Sequence, residues 1–137
     1  MSVRGEVENL MNRWCWAMDE RDADALKEIY TADARLTSEL PDREPTTIDG
    51  RDAILAYLAE VWGRVPQNGV KHVFTTYDIE PEVDGDVRLR SYFISYRLVE
   101  GRPAVSSLGH QTALARRDGD GWRIAERVHH VDGWLAT

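Results

Sequence analysis

The chain contains one cysteine, Cys15, which rules out an internal disulfide and any zinc site built from several thiolates. It has no apolar run near the roughly 20 residues that span a bilayer, so no membrane partner is expected. Its first residues, Met1-Ser2-Val3-Arg4-Gly5-Glu6, lack the basic-then-apolar order of a secretory signal, and a cytoplasmic location is expected. Positive charge is scarce. Seventeen basic against 24 acidic residues leave a net charge of −7, which argues against nucleic acid as a partner. A Gly-rich phosphate loop, a nucleophile elbow, a dinucleotide fingerprint and a His-Glu-x-x-His helix are all missing, so nucleotide-dependent and covalent serine chemistry are disfavoured. No cofactor and no metal are expected. Asp118-Gly119-Asp120-Gly121 resembles the start of a calcium loop, but its twelfth position is His129 instead of the bidentate Glu, so it reads as a hairpin turn.

The 137 residues suffice for one domain, expected to span 1–137, and 42% hydrophobic residues suffice for a core. Val7, Leu10, Met11, Trp14, Cys15 and Met18 follow helical spacing and form one apolar stripe. Asp22 can cap a second helix whose buried side is Leu26, Ile29 and Tyr30. A third follows Asp49-Gly50, carries Ile54, Leu58, Val61 and Trp62 on one face, and must stop near Pro66, with Asn68-Gly69 as a turn signal. Arg35 to Leu40 suits a short strand, followed by a loop with Pro41 and Pro45. Beyond Gly69 the period changes to two. Residues 70–80, 87–100, 102–117 and 122–131 read as strands separated by Asp84-Gly85, Glu100-Gly101 and Asp118-Gly119 turns. Helices first and a meander of long strands afterwards mean α+β: three helices on a curved, mainly antiparallel sheet that encloses a cone-shaped cavity.

Several ionisable residues sit among apolar ones. Asp19 closes the stripe of the first helix, His72 opens a strand beside Val70, Val73 and Phe74, His110 lies mid-strand, and Arg127 precedes His129 and His130. A histidine is suited to moving protons near neutrality, and a carboxylate on one ring nitrogen fixes its tautomer and makes the other nitrogen a better base. Asp19 and His72 form such a pair if the helix end meets the strand start. A metal site from His110, His129, His130 and Asp132 is disfavoured, because adjacent histidines on a strand point to opposite faces.

With these markers in order, the chain resembles the SnoaL-like branch of the nuclear-transport-factor-2-like superfamily. They are Asp19-Glu20-Arg21-Asp22 before Leu26, Tyr30-Thr31-Ala32-Asp33-Ala34, Gly50-Arg51-Asp52-Ala53-Ile54, Lys71-His72-Val73, and Arg116-Arg117-Asp118-Gly119 leading to Gly121-Trp122. The resemblance implies a cone-shaped α+β barrel. It also implies that Asp19 and His72 correspond to the Asp–His dyad of scytalone dehydratase, bile-acid dehydratase and hexachlorocyclohexane dehydrochlorinase, with Arg127 as a pocket cation and His110 on a pocket-lining position. A tyrosine before the aspartate in scytalone dehydratase is Met18 here, so a different substrate is implied. A ketosteroid-isomerase-like base would fall at Glu39.

Two function classes fit. One is a cofactor-free lyase or isomerase acting on a small, apolar, cyclic molecule such as a polyketide or steroid; the other is a non-catalytic binder of such a molecule. A dyad more than about 5 Å apart would favour the binder, since no proton passes directly over that gap. The expected lining is Trp14, Met18, Trp62 and Phe74, together with Tyr92, Ile94, Leu108 and His129 from the strands. Tyr92, Ile94 and Tyr96 alternate with Ser91, Phe93 and Ser95, so neither face of that strand is cleanly polar. A homo-oligomer is therefore expected, a dimer in preference to a trimer.

Overall fold

A computed structural model describes residues 1–67 and 69–135. Its elements are α1 (Val3–Glu20), α2 (Ala23–Ile29), β1 (Tyr30–Glu39), β2 (Thr46–Asp49), α3 (Arg51–Arg64), β3 (Lys71–Ile79), β4 (Asp86–Val99), β5 (Arg102–Asp118) and β6 (Gly121–Trp134). Each helix has a local cause. Ser2 caps α1 by accepting from the Gly5 amide at 3.0 Å, and Asp22 caps α2 by accepting from the Ala25 amide at 3.0 Å. Gly50, at φ 95°, turns the chain into α3, and Val65, extended as residues before proline are, ends it. The Asn68 half of the expected turn lies outside the described residues.

The strands form one open, mixed sheet of six in the order β2-β1-β6-β5-β4-β3. All neighbours are antiparallel except β1 and β6, which run parallel. Two features depart from the sequence reading. Tyr30 opens β1 and does not close α2: it pairs with Ile124 and is fully buried, so tertiary pairing overrides the local helical spacing. The stretch after Pro45 adds β2, an edge strand read from sequence as loop.

Irregular pairings interrupt the long strands. Extra residues occur in β3 around Thr76 (φ 58°), in β5 at Ser106 and in β6 at Asp132. Bulges raise the local twist, so the sheet wraps over the helices. The core fills this concavity: Leu10, Met11, Leu26, Ile54, Phe93 and Ile124 are essentially without solvent contact. Burying each such side chain contributes roughly 1.5–3 kcal/mol relative to exposure. In β4, Ser91, Phe93 and Ser95 face this core, while Tyr92 and Tyr96 stand on the outer face, Tyr92 at 59% exposure.

Candidate active site

The apolar stripe of α1 brings the helix down onto β3, and its last turn carries Asp19 to the first residues of that strand. Asp19 Oδ1 lies 2.6 Å from His72 Nδ1. Both carboxylate oxygens also accept the His72 backbone N–H at 3.1 Å, so the same acid grips ring and main chain. A carboxylate at a helix C-terminus opposes the helix dipole, and these donors offset that cost. The pair is nearly dry: the His72 and Asp19 side chains are 19% and 12% exposed. With Nδ1–H donated to Asp19, the neutral ring presents a lone pair at Nε2, which has no hydrogen-bond partner among the described residues. The edge-on ring of Trp14 at 5.6 Å and the face of Phe93 at 6.2 Å restrict the imidazole further.

A cleft of about 250 Å³ opens on this dyad, between the ends of α1 and α3 and strands β3 to β5. Met18, Val61, Trp62, Val65, Val70 and Leu98 give it an apolar wall; Arg97, Ser95, Ser106, Gln67 and Arg21 supply polar groups. Arg21 is a clamp. From a left-handed backbone at φ 53° it donates to the carbonyls of Trp62 (2.8 Å) and Val65 (2.5 Å), tying the end of α3 over the cleft. Gln67 donates to the Asp19 carbonyl at 2.8 Å. Two cleft residues carry buried donors without an acceptor among the described residues, Arg97 Nε and Trp62 Nε1. Unpaired buried donors are costly.

Of the residues singled out in the sequence, Asp19, His72, Met18 and Trp62 line the cleft. Trp14 and Phe74 lie behind it, stacked on each other at 5.2 Å. Arg127 lies deeper still. It is 2% exposed, with its guanidinium 4.1 Å above the Trp14 ring and Nε donating to Gln111 Oε1 at 2.9 Å. Burial lowers its pKa, and no carboxylate pairs with it among the described residues. The cleft's own strand cation is therefore Arg97. His129 packs edge-on against Phe93 at 4.5 Å, and burial, then the positive charge of Arg127, push its pKa down to about 2. It is a neutral residue packed behind Phe93 and, contrary to the sequence expectation, does not line the cleft. Tyr92, Leu108 and His110 are exposed on the opposite face of the sheet, where Ile94 also alternates outward, so none of the four lines the cleft. Glu39, the alternative base, is likewise outside it, 3.3 Å from His130. Sequence reading missed Arg97 and Ser95. Their signal was present: His72 pairs with Ser95, and alternation from Phe93 carries Ser95 and Arg97 to the same face.

A family model described as SnoaL-like domain matches residues 1–128. No curated protein matches in sequence. Among solved structures, an NTF2-like protein with a cystatin-like fold from Novosphingobium aromaticivorans is 24% identical and superposes with TM-score 0.80 over 97% of this chain and 84% of that one. A protein from Catenulispora acidiphila, solved in complex with S-DNPA, is 26% identical, with TM-score 0.78 over 95% and 93%. ActVI-ORFA from Streptomyces coelicolor is 18% identical, with TM-score 0.80 over 96% and 98%.

Proposed function

From a chain that belongs to the SnoaL-like domain family and holds Asp19 against His72 at the base of a cleft, we infer a cofactor-free acid–base enzyme, a lyase or isomerase. Its substrate is a small, apolar, cyclic molecule such as a polyketide or steroid fragment. The observation that carries this reading is the 2.6 Å contact between Asp19 Oδ1 and His72 Nδ1. In the proposed reaction His72 Nε2 removes a proton next to an activating carbonyl. Asp19 holds the tautomer and stabilises the imidazolium that forms, as the carboxylate of a catalytic triad does. Arg97, in the cleft's wall, offers positive charge to the oxygen on which negative charge develops. The imidazolium then returns its proton, to a leaving hydroxyl in a dehydration or to another carbon in an isomerisation. One group serves as base and then acid.

The cleft volume, about 250 Å³, lies just under the roughly 300 Å³ at which drug-sized pockets begin, which favours a compact ring system. The similar Catenulispora protein solved with S-DNPA supports a small-molecule ligand. The enzyme is proposed to work in the cytoplasm.

Turnover of hydroxylated polyketides and steroids by wild type, Asp19→Asn, His72→Ala and the double variant tests the reading. A positioned acid–base group contributes about 10²–10⁴-fold, so each single variant should lose that much and the double variant little more. Retention of most activity by His72→Ala would sink the mechanism. Binding seen as quenching of tryptophan fluorescence, with no turnover of any ligand that binds, would favour a non-catalytic binding protein.

A further inference from the structure

The outer face of the sheet, away from the cleft, carries a second cluster of ionisable groups. Pairing places Glu39 of β1 beside His130 of β6, and His130 beside His110 of β5, in one row across three strands. Asp132, the extra residue where Val131 and Gly133 oppose Gly109 and Leu108, falls on the same side. One ligand atom each from His110, His130 and Asp132 lie within 4.8 Å of one another. Alternation sends His129 inward, so it takes no part, as adjacency on a strand requires.

The contacts of His130 are the informative ones. Its Nδ1 is 3.3 Å from Glu39 Oε1, and its Nε2 is 3.2 Å from Asp132 Oδ1. A neutral imidazole has one N–H and can donate to only one of these carboxylates. Both ring nitrogens thus face carboxylate oxygens, an arrangement in which Nδ1–H is donated to Glu39 while an ion at Nε2 is shared with Asp132 Oδ1. The arrangement is that of a metal-binding histidine, whose second nitrogen is held by an outer carboxylate. Tetrahedral zinc with bonds of 2.0–2.1 Å sets its ligand atoms roughly 3.4 Å apart, close to the separation of Nε2 and Oδ1. His110, stacked on His130 at 4.6 Å, holds a third donor beside them. The backbone is built for this approach: a Cβ at Gly109 would come within 1.9 Å of the His130 carbonyl oxygen and 3.1 Å of the Asp132 amide nitrogen.

We propose that His110, His130 and Asp132 bind a divalent zinc-type ion, with Glu39 as the positioning carboxylate on His130 and solvent in the fourth place. Imidazole and carboxylate ligands suit zinc, cobalt and nickel better than calcium or magnesium. The ion ties β5 to β6 directly, and β1 through Glu39; it does not touch the dyad.

Titration calorimetry of chelator-treated, tag-free protein with zinc chloride tests the site, and cobalt substitution reports its geometry. The expected result is one equivalent of zinc bound with micromolar or tighter affinity, and a cobalt spectrum with tetrahedral intensity. His130→Ala and His110→Ala should each abolish the binding. Glu39→Gln should weaken it by about 10–100-fold, as loss of an outer carboxylate does. His72→Ala should leave it unchanged, which separates this site from the dyad. Asp132→Asn, a near-isosteric change on the surface, serves if a histidine variant misfolds, and it too should weaken binding. Absence of zinc binding, or binding equal in wild type, His130→Ala and Asp132→Asn, would overturn the proposal.

Discussion

Replacing Gln111 by Leu should destabilise the protein by about 2–4 kcal/mol, although it puts an apolar side chain into the core. Gln111 is fully buried; it accepts from Arg127 Nε at 2.9 Å and donates to Ser91 Oγ at 3.0 Å. A hydrogen bond to a charged group contributes roughly 1.5–3 kcal/mol and a neutral one about 0.5–1.5 kcal/mol. The loss falls on a guanidinium that already lacks a partner at one terminal nitrogen and rests on the rings of Trp14 and Phe74. Arg127→Met removes the cation that needs the amide, and burying a methionine avoids the desolvation of an ion. The double variant Gln111→Leu/Arg127→Met should therefore recover most of the loss, with a coupling of about 2 kcal/mol between the two positions. Urea unfolding followed by far-ultraviolet circular dichroism measures all four proteins. With a slope of about 1–3 kcal/mol per molar urea, Gln111→Leu should lower the midpoint by roughly 1–2 M. Additivity within about 0.5 kcal/mol would refute the reasoning, because Arg127 would then not depend on Gln111.

Other outcomes follow from the same structure. Cys15 is buried and burial raises its thiol pKa to about 12, so a disulfide reagent at pH 8 should label it only as fast as the protein unfolds; rapid labelling of native protein would contradict its placement. The outer face exposes Val73, Tyr92, Tyr96 and Leu108, and a homodimer is expected to cover it. Light scattering should give twice the chain's 15.6 kDa and Tyr92→Asp should reduce it, whereas a monomer mass for wild type at micromolar concentration rules the dimer out. Gly109→Ala would drive a methyl group to 1.9 Å from a backbone oxygen, so a loss of about 1–3 kcal/mol or more is expected, read as a lower melting temperature. Wild-type stability in that variant would mean that the strands at Asp132 are further apart than described.

What the sequence made legible was whatever local spacing controls. The α1 stripe, the Asp22 cap and the four strands after Gly69 lie within a few residues of their expected bounds, because periodicity and turn chemistry are short-range. The start of β1 was not legible. Tyr30 has helical spacing from Leu26, and only its partner Ile124, far along the chain, makes it a strand residue. The site divides in the same way. An acid closing an apolar stripe and a histidine opening a strand are visible anomalies, and the fold brings Asp19 and His72 together. Alternation separates the two faces of a strand but does not say which one meets the helices, so Tyr92, Ile94 and Leu108 were assigned to the wrong face while Ser95 and Arg97 were overlooked. Arg127 was visible as an ion within a strand. That it sits beneath Trp14 and not at the dyad depends on packing depth, which periodicity does not report.

The parallel pairing of β1 with β6 has a consequence for how the chain is made. Tyr30 bonds across the sheet to a strand whose first contact, Ile124, leaves the ribosome last among the elements. At about 5–20 residues per second, the interval between the two is roughly 5–20 s. During that time β1 has only the short β2 as a neighbour, and the edge that will meet β6 stays open. Closing so long a loop also slows refolding of the finished chain, since its entropy is lost before the contacts reward it. The strand next to the sheet's β2 edge is thus the one whose late pairing leaves the nascent protein most open to joining a neighbour's strand instead of its own.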